Sequence, residues 1–288
     1  MPTITEVREE LDDSVTLQFV SSAFTEAAAA RVQKIKEEFE RNRQFFDDMT
    51  HLYHLVRISG KKVLPGKKGI LGRAGPVEGT EETGKMLSVA VTSNQRFYGN
   101  INTNIMETYM RDTGAQQTDR LIIGSTGSDL LRSITYAHPF DRLIFAKDRP
   151  TADETQGFLN RIKPYRSVII YYPKFVSLVS QTVGKLDICQ AGKANETIPK
   201  EEINILFEPE YSQILEFFQL QVRSLLFLRV LLETDLARTA ARLITMSGAE
   251  ERAREIIKQK RSQLRKMQAS IINIKLLETF NAMKGVRR

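Results

Sequence analysis

Apolar side chains recur at alternating spacings of three and four residues along the last quarter of the chain. No other feature constrains the fold as much. The series runs Leu215, Phe218, Val222, Leu225, Arg229, Leu232, Leu236, Thr239, Leu243, Met246, Glu250, Ala253, Ile257, Lys260, Leu264, Met267, Ile271 and Ile274, and fourteen of these eighteen positions are apolar. A 3.5-residue repeat held this long predicts a left-handed coiled coil. Pro209 stands at its start, where a missing N–H costs nothing, and no proline follows. The predicted helix, residues 209–288, is roughly 110 Å long at 1.5 Å per residue.

The other end of the chain repeats the pattern. Ala28, Val32, Ile35, Phe39, Asn42, Phe46, Met49, Tyr53 and Val56 alternate four and three, and Ile4, Val7, Leu11 and Val15 continue an apolar stripe upstream. Asn42 is the polar member of this seam, a kind of position that sets register at some loss of stability. The reading is one helix over residues 1–58, starting near Thr3 and ending near Ile58. Each seam needs a partner, and the two helices are the obvious partners of one another. Val32, Ile35, Phe39, Leu236, Leu243, Met246, Ile257, Leu264 and Ile271 are the residues expected to carry the contact.

Between the helices the texture changes. Residues 59–85 are rich in Gly, Lys and Pro and read as a flexible loop. Residues 86–208 then alternate short β-type runs with helical ones. Strands are expected at Leu87–Thr92, Arg120–Ile123, Leu143–Ala146, Ser167–Tyr172, Leu186–Cys189 and Ile203–Phe207, with helices opening at Asn102, Ser128 and Thr151. Alternation at this spacing predicts an α/β domain with a mostly parallel sheet. The topology is helix, α/β domain, helix, and the simplest pairing of the outer helices is antiparallel.

Charge is concentrated at the C-terminal end. From Glu251 onward there are eleven Lys and Arg against three Glu, so this segment alone carries +8 of a total of +7. A solvated helix face, an acidic protein partner and nucleic acid all accommodate such a stripe. Phe280 is its one aromatic, which counts against base stacking. Cys189 is the sole cysteine, so no intrachain disulfide is possible. No stretch reaches the ~18–20 apolar residues of a membrane span. The opening residues lack the basic and apolar regions of a signal peptide, and a soluble chain is expected.

Candidate chemistry is sparse. Gly124-Ser125-Thr126-Gly127 lies between a strand and a helix, where phosphates are cradled. It lacks the Gly-Lys-Ser/Thr ending of a P-loop and the third glycine of a dinucleotide fingerprint, so a tight turn is the better reading. His51 and His54 are spaced i, i+3 but have no third ligand nearby. Asp12-Asp13 and Asp47-Asp48 read as exposed helix charges rather than an acid/base pair. Neither catalytic residues, a cofactor nor a metal is expected.

Five local motifs, in order, resemble the gamma subunit of F-type rotary ATP synthases over almost the whole chain. Val20-Ser21-Ser22-Ala23-Phe24 through Ala27-Ala28-Ala29-Ala30-Arg31-Val32 resembles I-T-x-A-M-x-x-V-A-A-x-K-L. Thr92-Ser93-Asn94-Gln95-Arg96-Phe97-Tyr98-Gly99 through Asn104 is similar to S-D-x-G-L-C-G-x-x-N-x-N. Ile122 to Gly127 is similar to V-G-x-K-G, Tyr172 to Ser177 to Y-N-x-F-x-S, and Arg238 to Met246 to E-x-x-A-R-M-x-A-M. Departures mark a divergent member. Phe19, Ser22 and Thr25 stand where lysines are usual, and Met267 to Ile274 keeps R-Q-x-x-I-T-x-E without its Thr and Glu.

The resemblance implies a non-catalytic central-stalk shaft inside a ring of alternating alpha and beta subunits, on the cytoplasmic face of a bacterial membrane. It also implies docking to an epsilon-type stalk subunit and to the c-ring of a membrane sector, without membrane insertion or nucleic-acid binding. Phe24, Arg31, Arg252, Arg254, Lys258, Arg261, Arg265, Lys266 and Gln268 are the residues expected to meet the catalytic ring. Two other readings of the residues remain, a nucleotide-binding α/β enzyme and a coiled-coil scaffold with a polyanion-binding basic tail.

Overall fold

The heptad repeats do become the two longest elements. The computed structural model describes residues 3–63, 85–134, 136–189 and 211–285. Helix α1 spans Ile4–Val63 and helix α5 spans Tyr211–Gly285. Between them lie β1 (Met86–Val91), α2 (Ile101–Thr113), β2 (Asp119–Ile123), α3 (Ser125–Ser133), β3 (Asp141–Leu143), α4 (Ala152–Ile162), β4 (Ser167–Phe175) and β5 (Gln181–Asp187). Thr3 starts α1 as a capping box: its backbone N–H donates to Glu6 Oε2 at 2.8 Å and its Oγ1 accepts from the Glu6 N–H at 3.2 Å. The chain forms two compact units, Met1–Ala30 with Arg242–Arg288, and Arg31–Ala241.

In the first unit, α1 buries or half-buries Ile4, Val7, Leu11, Ser14, Gln18, Ser21, Thr25 and Ala28. On α5 the matching stripe is Met246, Ala253 and Ile257, flanked by half-buried Leu243, Lys260, Leu264 and Met267. The helices run antiparallel, and Lys260 forms an ion pair with Glu10. Two expectations need correction here. Val15 is 41% exposed, because a 3.5-residue period from Ile4, Val7 and Leu11 continues at Ser14 instead. The hydroxyls in that stretch turn back onto the helix, Ser14 to the Glu10 carbonyl and Thr25 to the Ser21 carbonyl. Ile271 is 41% exposed rather than in the seam. With Glu10 beside Lys260, Ile4 falls level with Lys266, six residues on, so α5 outruns its partner.

The second unit is a doubly wound sheet of order β3-β2-β1-β4-β5. The first four strands are parallel, and β5 returns antiparallel to β4. Parallel strands covered on both faces read as nearly continuous apolar runs, and β1 and β2 do. Leu87, Val89, Val91, Leu121, Ile123, Val168 and Ile170 pack with Phe158 and Ile162 of α4 and with Val222, Leu226, Phe227 and Val230 of α5. Alternate residues Ala90, Ile122 and Tyr171 face Ile105, Met106 and Tyr109 of α2 and Leu131 of α3. From α1, Phe46 packs against the first cluster, under the Arg229 guanidinium at 5.6 Å. Half-buried Asn42 has no hydrogen-bond partner for its Oδ1 among the described residues.

Several boundaries differ from the sequence reading. Helix α1 continues past Ile58 to Val63, because one glycine (Gly60) costs a helix only about 1 kcal/mol. Helix α3 opens directly after Gly124 rather than at Ser128. Strand β3 is shorter and earlier than Leu143–Ala146. Strands β4 and β5 form a hairpin closed by a Ser177 N–H to Ser180 carbonyl bond, so β5 begins at Gln181 rather than Leu186. The remainder of the expected loop, residues 64–84, and the Ile203–Phe207 strand lie outside the described residues.

Candidate functional site

A doubly wound sheet binds its ligand beyond the carboxyl ends of its strands, where the winding reverses. Here the reversal lies between β1 and β4, next to the Gly124–Gly127 turn. The sequence left a phosphate cradle there as the lesser reading, and the geometry closes it. Gly124 has φ +100°, and a Cβ on it would sit 2.3 Å from the Thr92 carbonyl oxygen. A Cβ on Gly127 would meet Thr92 Oγ1 at 2.6 Å. Both glycines therefore serve the close approach of α3 to β1.

The N–H groups that would face a phosphate are already bonded. Ser125 donates to Asn94 Oδ1 at 2.9 Å, Thr126 to the Ser93 carbonyl at 3.1 Å and Gly127 to Thr92 Oγ1 at 3.1 Å. Asp148 adds a carboxylate, held by the Asn94 N–H at 2.6 Å and the Tyr98 hydroxyl at 2.7 Å. The carboxylate takes donors that a phosphate would use, although Lys147 and Arg238 line the same cleft. Helix α5 then covers what is left. Leu231 and Arg238 line the cleft with Thr92, Asn94, Gly124 and Asp148, and about 10 Å³ remains free.

The covering stretch of α5 is unusual, since every residue from Val230 to Ala241 is buried. Five of the twelve are polar: Glu233, Thr234, Asp235, Arg238 and Thr239. The Tyr172 hydroxyl donates to Glu233 Oε2 at 3.1 Å. Burial holds the Glu233 carboxyl above the usual carboxylate range, against the pull of the Tyr172 bond and of Arg229 and Lys174. Arg31 donates to both Asp235 oxygens, at 3.0 and 3.1 Å. Residue spacing carried no sign of the Asn94–Asp148–Tyr98 network or of Arg238's place in it, because their contacts span 50 to 90 residues of sequence.

The residues expected to meet a partner are distributed unevenly. Arg31 is turned onto Asp235 within its own unit, with half of its side chain still exposed. Phe24 is 40% exposed on α1, beside the more exposed Phe19 and Leu17. On α5, Arg254, Lys258, Arg261 and Arg265 are exposed and follow one another at four, three and four residues. They form a basic stripe one residue, or about 100°, round the helix from buried Ala253 and Ile257. Arg254 pairs with Glu250, Arg252 Nε donates to the Gly248 carbonyl at 3.0 Å, and Lys266 and Gln268 are exposed. Of the expected seam, Ile35, Leu236, Met246 and Ile257 are buried, and Val32, Phe39, Leu243 and Leu264 are half-buried. Beyond them α5 exposes Ile272, Leu277, Phe280 and Met283 at 58 to 73%, an apolar surface of the kind that marks an interaction site.

His51, Asp12, Asp13, Asp47 and Asp48 are exposed on α1, and the His54 side chain lies outside the described residues. No helix among the described residues is long and apolar enough to cross a membrane.

Comparison with known proteins identifies the family. The family model described as ATP synthase matches residues 3–284. The chain belongs to the ATP synthase gamma family. The ATP synthase gamma chain of Chlorobaculum parvum is 26% identical over 273 residues, covering 90% of each chain. That of Flavobacterium johnsoniae is 24% identical over 296 residues, covering 99% of each. Two solved structures share the gamma-family fold. A chain of the Euglena gracilis mitochondrial ATP synthase aligns over 92% of this chain and 95% of its own, at 15% identity and TM-score 0.55. A chain of the Tetrahymena thermophila mitochondrial ATP synthase central stalk and c-ring aligns over 80% and 99%, at 18% identity and TM-score 0.57.

Proposed function

We propose that this chain is the non-catalytic central-stalk rotor of an F-type ATPase, coupling its own rotation to nucleotide turnover in a ring of alpha and beta subunits. The observation that carries this is the family match over residues 3–284, on a fold whose two long helices flank a sheet whose switch-point cleft is closed. A rotor needs no chemistry of its own. It needs an asymmetric surface, so that each catalytic site of a three-fold ring meets different contacts at a given angle. Nucleotide affinity then depends on rotor angle, and rotor angle on nucleotide, because the coupling is reciprocal in binding free energy.

The exposed apolar end of α5, the α1 face with Leu17 and Phe24, exposed Phe19 round the same helix, and the basic stripe Arg254–Lys258–Arg261–Arg265 supply such a surface. Phe24, Arg252, Lys266 and Gln268 belong to the same proposed contact with the ring. An apolar face on a stiff helix can slide past successive neighbours without breaking fixed hydrogen bonds. A basic stripe favours acidic loops at long range and fixes no single register. Arg31 is the weakest member of the proposed set, since its Nη2 already donates to both Asp235 oxygens. Docking to an epsilon-type subunit and a membrane c-ring, and a peripheral place on the cytoplasmic face of the membrane, complete the reading. The bacterial gamma-chain relatives and the lack of a membrane-crossing helix among the described residues support that placement.

The test is reconstitution with the alpha and beta subunits of the same organism. A stable complex on a native gel whose ATP hydrolysis depends on this chain is expected. The purified chain alone should neither hydrolyse ATP nor give heat on titration with it. Micromolar ATP binding to the isolated chain would instead favour the nucleotide-enzyme reading.

A further inference from the structure

We propose that Arg238 is the positioning residue that pins helix α5 against turning in the α/β unit, so that torque passes between that helix and the sheet. The inference rests on the rotor reading above, because only a rotor loads this contact by twisting.

Apolar packing supplies only part of such resistance. Close packing of Phe227 and the Tyr172 bond to Glu233 oppose turning on the side facing β4. The hydrophobic effect itself has no direction, so an apolar side chain displaced by turning, such as Val230 or Leu231, can find another apolar neighbour. Arg238 cannot be exchanged in this way. It is 3% exposed, its guanidinium is planar and permanently protonated, and it enters the cleft where a doubly wound sheet would otherwise bind a ligand.

Its surroundings are fixed independently of it. Arg238 Nη1 faces the Asp148 carbonyl oxygen at 3.5 Å. The Asp148 carboxylate is anchored to the Asn94 N–H and the Tyr98 hydroxyl, both on the segment after β1. Burial works against the charge on Arg238, and the nearby charges of Asp148 and Asp235 work for it. Arg238 Nε and Nη2 have no protein partner among the described residues, and the ~10 Å³ beside them has room for one water. The side chain is therefore held by shape and by charge. Rotation of α5 would carry the cation away from Asp148, since Asp235 turns with it on the same helix, or would drag Asp148 and the β1 loop along. Either way the sheet turns with the helix.

Two measurements on the full chain and on the assembled complex test this. In the isolated chain, Arg238→Met should speed amide hydrogen exchange across residues 230–241 about tenfold while leaving Val89 and Ala90 of β1 unchanged. Arg238→Lys, which keeps the charge, should restore most of the protection. Asp148→Asn, which keeps the shape and removes the charge, should act in the same direction and serves if the methionine variant does not fold. Exchange that is unchanged, or that rises equally in β1, overturns the pin. In the complex, Arg238→Met should lower the number of ions moved per ATP hydrolysed while hydrolysis continues, with recovery in Arg238→Lys. An unaltered ratio overturns the torque role. Failure of the wild-type chain to join the alpha and beta subunits would sink the rotor reading instead, and the exchange measurement would still decide the pin.

Discussion

Residues 230–241 and residues 271–283 belong to the same uninterrupted helix, yet the first stretch is buried on every side and the second on none. The buried stretch carries Glu233, Asp235 and Arg238, each provided with a neighbour of suitable charge or hydrogen bonding. The exposed stretch carries Ile272, Leu277, Phe280 and Met283 with nothing over them in the described chain. Ordinary soluble surfaces are built the other way round. Polar groups inside are largely met within the chain, Thr234 Oγ1 and Arg238 Nε and Nη2 being the exceptions among the described residues of this stretch. Apolar groups outside leave the second part to be completed by an assembly.

The contrast is sharpest where burial is deepest. Phe227 stacks on Phe158 with ring centroids 4.3 Å apart, and neither is exposed by more than 2%. Phe227→Ala should cost about 3–5 kcal/mol in chemical denaturation of the isolated chain. A loss below about 1 kcal/mol would mean that α5 is not seated on the sheet as described. Met246 lies in the helix-pair seam and is 6% exposed. Met246→Ala should cost about 2–3 kcal/mol, less than Phe227→Ala because one stripe of contacts is lost rather than a full shell.

Glu233 gives a pH-dependent effect smaller than either. Its folded carboxyl is raised above the ordinary 4.5 by burial, so the folded chain favours the protonated form. The stability this contributes is fully present below that ordinary value and is lost as pH rises through the folded one. Glu233→Gln stays neutral and can still accept the Tyr172 hydroxyl. Its melting temperature relative to wild type should therefore climb as pH rises above the ordinary 4.5. A difference that is flat with pH would remove the case for a strained buried carboxyl.

The exposed stretch should respond least in isolation. Leu277→Ser and Arg261→Ala should each change the stability of the free chain by less than about 0.5 kcal/mol. Leu277→Ser should nevertheless weaken retention of the chain by the alpha and beta subunits on a native gel. Unimpaired retention would move the partner surface elsewhere.

What was legible in the sequence follows the range of the forces involved. The helices, the alternation of strands and helices in the sheet's first half and the tightness of the Gly124 turn depend on neighbours within about one or two turns. Periodicity and glycine placement report those directly. The expected seam positions as far as Leu264 are buried or half-buried, and the exposure of Ile271 has a plain origin: a repeat records what a helix could bury, not where its partner stops. Val15 misled because apolarity was given more weight than phase, when Ser14 and Ser21 keep the phase with small hydroxyls. The closed cleft was only half legible. The missing lysine at Gly124–Gly127 argued against a phosphate, but the blocking groups, Asp148 and Arg238, come from distant segments that no local pattern joins.

That closure has a pharmacological consequence. Compounds that imitate nucleotides succeed by finding a concave, donor-lined recess, and in this fold the recess has been filled by the protein's own helix. Nucleotide imitation therefore has no purchase there, and the exposed helical faces of α1 and α5 are surfaces that peptides and macrocycles grip better than adenine analogues.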